Sequence, residues 1–171
     1  MDDYLNQGHT VPWADYRTQT TAVVIGDGVT HVGNRAFRGF NKIITVTFGN
    51  DVETMGYEAF YLCNKITTVT LNEGLTNIGS LAFYGCTALK EITLPPTVNV
   101  IGSDAFNGCI SLETFTVPET VEKINAGAFR NCIALKEITI PSTVTYMGEG
   151  STFAGCTSLK TLTWPASTIV I

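Results

Sequence analysis

The sequence predicts a repeat solenoid: one chain wound into right-handed coils, each with a short parallel β-strand on one side and turns or short helical turns on the other. Three observations predict it. Phe37, Phe60, Phe83, Phe106 and Phe129 are each 23 residues apart, and Phe153 follows after 24. Cys63, Cys86, Cys109, Cys132 and Cys156 each lie three residues after one of these phenylalanines, with Phe40 in that slot of the first unit. Short β-like segments keep the same period: Val46-Thr47-Phe48, Val69-Thr70-Leu71, Ile92-Thr93-Leu94, Phe115-Thr116-Val117, Ile138-Thr139-Ile140 and Leu162-Thr163-Trp164. A fixed period of this length marks stacked coils that share one continuous core.

Each element of the unit has a physical reason. In a strand, alternation sends Ile92 and Leu94 inward and Thr93 outward. Val23-Val24-Ile25 is the same segment of an earlier, partial unit. Pro95, Pro118, Pro141 and Pro165 end the later segments, because proline cannot donate to a ladder. A second aliphatic follows at Val29, Val52, Leu75, Val98, Val121 and Val144. An aliphatic residue or Met, then Gly, two variable residues, Ala and Phe come next, as in Ile101-Gly102 before Ala105-Phe106. The Gly is expected to permit a turn that a side chain would hinder. Ile43, Ile66, Leu89, Leu112, Leu135 and Leu159 complete the coil. The prediction is leucine-rich-repeat-type: one strand per coil, seven in a single sheet, ending near Ile25, Phe48, Leu71, Leu94, Val117, Ile140 and Trp164.

The cysteine ladder reads as packing. Free Cys is small, apolar and often buried. Adjacent rungs could approach disulfide distance, but parallel inward side chains are poorly aimed for it, and Phe40 fills the same slot. A zinc site needs ligands converging on a point, whereas a ladder spreads them along a line. All five thiols are expected to be reduced and shielded.

Composition excludes several classes. Hydrophobic residues make up 44% and charged residues 15% of the 171, enough for a sizeable core. A net charge of −5 argues against nucleic-acid binding. No apolar run approaches a membrane span. The two histidines do not converge with other groups. His9 lies in the leader, and His31 shares its phase with Thr54, Asn77, Val100, Lys123 and Tyr146, which reads as an exposed, variable rung. No Ser sits in a nucleophile elbow, and the glycines are explained by the period. Neither catalysis, a cofactor nor a metal is expected. Glu91, Glu113 and Glu137, with Lys90 and Lys136 nearby, read as solvated charge.

The repeated Gly-x-x-Ala-Phe-x-x-Cys signature, set in the full unit from residue 20 to about 165, resembles the BspA-like leucine-rich repeat family. The stretch VPWADYRTQTTAVVIGDGVTHVGNRAF, residues 11–37, resembles the start of that family's array. By this resemblance Trp13 and Tyr16 would lie over the open end of the first coil. Residues 1–19 are accordingly expected to form a leader and cap, and 20–171 one solenoid that continues or is truncated at its C-terminus. The closing alternative is Trp164 with the last apolar residues. The resemblance implies an extracellular or cell-surface protein, secreted or surface-held, of mucosal bacteria or protozoa. It also implies adhesion to host matrix, host receptors or other microbes.

Two surfaces are candidates for binding protein or glycan. The strand face carries Thr70, Thr93, Thr116 and Thr139, with Glu91 and Glu137 beside them; threonine is also simply a good exposed-strand residue. The turn after the Phe carries Arg38, Tyr61, Tyr84, Asn107 and Arg130, and places Tyr61 and Tyr84 on neighbouring rungs, where aromatic hot spots are favoured but where the rings could equally cover coil edges. A surface binding module leads; an intracellular interaction scaffold on the same solenoid is the alternative, and an upstream signal peptide would separate them.

Overall fold

A computed structural model describes residues 11–165, and it shows a parallel β-solenoid. A 3-10 turn at Ala14–Tyr16 precedes the strands β1 (Ala22–Val24), β2 (His31–Val32), β3 (Thr45–Thr47), β4 (Thr54–Met55), β5 (Thr68–Thr70) and β6 (Asn77–Ile78). The chain continues through β7 (Val100–Ile101), β8 (Lys123–Ile124), β9 (Glu137–Thr139), β10 (Tyr146–Met147) and β11 (Thr161–Thr163). Every pairing is parallel and in register with the repeat, offset by 23 residues as in Val23↔Val46 and Val46↔Val69, and by 24 between β9 and β11, as in Leu162↔Ile138.

Two features correct the expected strand pattern. The coil has two strand positions, and the second was not foreseen: β2, β4, β6, β7, β8 and β10 form a continuous six-stranded sheet. The row His31, Thr54, Asn77, Val100, Lys123 and Tyr146 is therefore a rung of this sheet, and its first four members are half-buried. The expected single sheet, in turn, is divided into β1-β3-β5 and β9-β11. Ile92-Thr93-Leu94 and Phe115-Thr116-Val117 keep the inward-outward alternation but are not strands, so five of the seven expected segments are. A bulkier residue accompanies the break. Phe115 stands where other coils have Val46, Val69, Ile92, Ile138 or Leu162, and its ring is wedged edge-on against Phe106 at 5.2 Å and Phe129 at 4.6 Å.

The core is a set of straight ladders. Phe37, Phe60, Phe83, Phe106, Phe129 and Phe153 stack face to face, with centroids 5.3 to 5.7 Å apart and planes within 10°. Such stacked rings stabilise beyond their buried area. Val52, Leu75, Val98, Val121, Ile66, Leu89, Leu112 and Leu135 are fully buried beside them. The third side of each coil is a run of tight turns, such as Ala82 N–H to Gly79 O (3.2 Å), Cys86 N–H to Phe83 O (3.1 Å) and Leu89 N–H to Cys86 O (3.1 Å). Between these turns the chain bonds to the next coil, as in Phe60 N–H to Ala82 O at 2.8 Å and Leu62 N–H to Tyr84 O at 2.7 Å.

The repeated glycine has a different purpose from the one expected. It does not supply a left-handed turn. A Cβ at Gly56 would stand 2.7 Å from the Asn34 nitrogen, and one at Gly102 would strike the backbone of Gly79 and Ser80, so the glycine permits close approach of coils. The left-handed residue comes two positions later and is usually not glycine: Arg35, Glu58, Leu81 and Asp104 have φ of +59°, +54°, +58° and +52°.

At the N-terminal side, Trp13 stacks on Phe37 at 5.5 Å and donates its indole N–H to Ala36 O at 2.7 Å. Tyr16 is 56% exposed. Trp164 is 40% exposed, and the last apolar residues lie outside the described residues, as do His9 and most of the leader.

Candidate binding surfaces

The cysteine ladder is interior. Cys63, Cys86, Cys109 and Cys132 are fully buried and Cys156 is half-buried; all are free thiols. Each donates to a carbonyl of the preceding coil, from Cys63 to Phe37 O at 3.0 Å through Cys86 to Phe60 O at 3.4 Å to Cys156 to Phe129 O at 3.0 Å. Burial pushes the Cys63 and Cys109 thiols up to about 12. It also raises Cys86, Cys132 and Cys156. A reactive cysteine has the opposite environment, exposed and with a lowered pKa.

His31 lies in β2, half-buried, with Nδ1 2.6 Å from Thr54 Oγ1. Among the described residues no group of three or more His, Cys, Asp or Glu could hold a metal ion.

The turn side gathers an array the sequence shows only in part. Tyr61 and Tyr84 stack at 4.8 Å and 11°, and the Arg38 guanidinium lies 4.9 Å from the Tyr61 ring centroid. Arg38 belongs to the preceding coil, so Tyr61 is enclosed between a cation and a second ring. Arg35 lies 5.3 Å over Tyr57. Both arginines converge on Glu58 Oε2, from Arg35 Nε at 2.7 Å and from Arg38 Nε at 3.0 Å. The hydrogen bond to Glu58 raises the Arg35 pKa further. Spacing alone did not reveal Arg35 and Glu58, although their 23-residue separation places them on one rung. The aromatic run stops at Asn107, which is buried and turned to Asp104 Oδ1 at 2.7 Å, and Arg130 follows it, exposed.

This arrangement restricts what the tyrosines can do. Tyr61 stacks on Tyr84 and carries Arg38 over its ring, so it offers its edge and hydroxyl rather than a flat stacking platform. The array is pre-ordered, which lowers the entropy cost of contact.

The strand side places Thr70, Glu91, Thr93, Thr116, Glu137 and Thr139 in exposed positions. It does not bring them together with Tyr61 and Tyr84, which sit on the turn side of the coil. Glu113, beside this face, is paired with Lys136 of the next coil at 2.7 Å, and that hydrogen bond lowers its pKa.

Stacked parallel strands, phenylalanine and aliphatic ladders and a 23-residue coil define a leucine-rich-repeat solenoid, a class of repeat binding modules. The chain belongs to the BspA type leucine-rich repeat region family, six copies of which match over residues 14–136 and 99–171. A T. pallidum leucine-rich repeat protein superposes with a TM-score of 0.73 at 28% identity, over 93% of this chain and 81% of that one. A Bacteroides ovatus leucine-rich repeat protein gives 0.65 at 27% identity, over 85% of this chain and 46% of its own. The pneumococcal vaccine antigen PcpA shares the fold, with a TM-score of 0.62 at 20% identity, over 86% of this chain and 42% of its own. This chain thus spans under half of the latter two proteins. Among curated protein sequences none is significantly similar to it.

Proposed function

We propose that this chain is the non-catalytic binding module of a bacterial surface or secreted protein, and that it mediates adhesion by contacting a host or microbial protein through exposed rungs. Membership of the BspA-type family supports a repeat binding module at the cell surface. The single observation that carries a protein partner is the Arg38–Tyr61–Tyr84 array, fixed at 4.9 and 4.8 Å on consecutive coils. Tyrosine and arginine dominate interface hot spots, and rings already immobilised lose little entropy on contact. A glycan has fewer ring faces to stack on here, because Tyr61 is held between Arg38 and Tyr84. Residues 11–19 act in this reading as the cover of the first coil, through Trp13 on Phe37.

The test is a binding screen of this chain against extracellular-matrix proteins, with glycans alongside, followed by the Tyr61→Ala/Tyr84→Ala double variant. Loss of about tenfold or more in affinity by a variant that retains the wild-type circular dichroism is expected. Unchanged affinity would remove the array as the site.

A further inference from the structure

We propose that the open stretch of the strand face takes an extended, lysine- or arginine-bearing segment of a partner protein, laid along the cleft between Glu91–Pro96 and Thr114–Glu119. The first ground is the backbone. In β1-β3-β5 and β9-β11 each rung bonds to its neighbour. In the two coils between them, the amides and carbonyls of Glu91–Leu94 and Thr114–Val117 have no hydrogen-bond partner among the described residues. The coils stay joined nearby through Glu113 N–H to Lys90 O at 2.9 Å and, at the other sheet, through β6, β7 and β8. The solenoid therefore has a continuous ladder on one side and an interrupted one on this side. A peptide main chain offers these groups the partners that a strand would.

The second ground is shape and charge. The cleft holds about 500 Å³, with Ile92, Leu94 and Phe115 as an apolar floor and Thr93 and Thr116 at its rim. Glu91 and Glu119 line it. A second cleft of about 260 Å³ adjoins it through Thr116 and Glu119, and adds Glu137. No lysine or arginine lines either cleft, and none of the three carboxylates has an ion-pair partner among the described residues. An extended segment alternates its side chains. One set rests on the floor while cationic side chains of the other reach the carboxylates. An acidic or nucleic-acid ligand meets repulsion here.

The inference rests on the reading that the solenoid binds protein, but it uses a face separate from Tyr61 and Tyr84. The experiment titrates the isotope-labelled chain with an alternating Thr-Lys peptide of about ten residues, following amide shifts and hydrogen exchange. Controls are the same peptide with alternate backbone nitrogens methylated, a Thr-Glu peptide, and an uncharged oligosaccharide. Before addition, the Thr114–Val117 amides exchange faster than those of Val46 and Thr47. On binding, Ile92–Leu94 and Thr114–Val117 become protected. Methylation of the peptide, or the Glu91→Gln/Glu119→Gln/Glu137→Gln variant, weakens binding by about tenfold or more. The Tyr61→Ala/Tyr84→Ala variant binds the peptide unchanged, so loss of one surface is distinguishable from loss of the other. Equal binding of the methylated peptide, or no protection at these amides, overturns the proposal. Protection by the uncharged oligosaccharide that survives the triple variant overturns it in favour of a glycan.

Discussion

Replacing Phe83 by Ala removes a middle plate of the aromatic stack, and the structure sets the size of the effect. Phe83 is fully buried, with Phe60 and Phe106 stacked on its two sides at 5.6 Å each. Truncating a buried Phe to Ala costs about 3–5 kcal/mol from lost transfer energy and the cavity left behind. Two stacked neighbours place this site at the upper end, about 4–5 kcal/mol. Phe153 belongs to the same ladder but is only half-buried and stacks on Phe129 at 5.7 Å. Phe153→Ala should cost about half as much, roughly 2 kcal/mol. The assay is urea unfolding followed by far-ultraviolet circular dichroism, with hydrogen exchange at β6 and β10 to show where each loss is felt. Coils contact only their neighbours, so the Phe83 change should deprotect β6 and leave β10 nearly intact. Equal costs for the two variants, within about 0.5 kcal/mol, would refute the argument that burial and two-sided stacking set the stability of this ladder.

Four further outcomes are expected. Thiol reagent on the native protein should label Cys156 first, with the other four reacting only on unfolding, and Cys86→Ser should destabilise by about 1–3 kcal/mol in urea because it buries a hydroxyl in an apolar ladder. The folded-state pKa of Cys109 is raised from 9.0 to about 12, so above pH 9 the unfolded chain releases a proton that the folded chain retains; stability from this thiol is complete below pH 9 and lost progressively up to about pH 12. Cys109→Ala should therefore flatten the alkaline fall of the urea midpoint, and an unchanged slope would count against the burial argument. Gly102→Ala should cost about 2 kcal/mol or more, because its Cβ would meet the backbone of the preceding coil rather than a movable side chain, and a thermal melt within a degree or so of the parent would contradict the close-approach reading.

What the sequence made legible is what repetition makes legible. The core ladders were readable because each coil places the same demand on one phase: Phe37 to Phe153, Cys63 to Cys156, and the aliphatics from Val52 to Val144. The second sheet was missed because its outward rungs vary in type and exposure. Thr54, Asn77 and Lys123 share no residue type, since the pairing there is made by backbone, which no side chain advertises. The interruption at Ile92–Leu94 and Phe115–Val117 was missed for the opposite reason. Both segments keep the alternation of a strand; Phe115 is bulkier than its equivalents, and nothing in Ile92-Thr93-Leu94 sets it apart from the paired coils. Of the candidate site, the Tyr61–Tyr84 neighbourhood followed directly from the 23-residue spacing, whereas Arg38 over Tyr61 and the Glu58 anchor depend on side-chain reach that spacing does not encode.

The constant offset between bonded rungs has a consequence for how such a gene can change. Asn34 to Tyr57, Arg35 to Glu58, Ser80 to Ser103 and Glu113 to Lys136 all span 23 residues. A recombination event that removes or duplicates one whole unit leaves every remaining phase aligned, so the new junction meets a ladder of the same shape. A single extra residue is tolerated where a turn absorbs it, as in the 24-residue unit whose Phe153 still stacks on Phe129 at 5.7 Å. Length is thus an inexpensive variable for this architecture, and the exposed rungs carried by each unit are added, lost or shuffled as intact blocks.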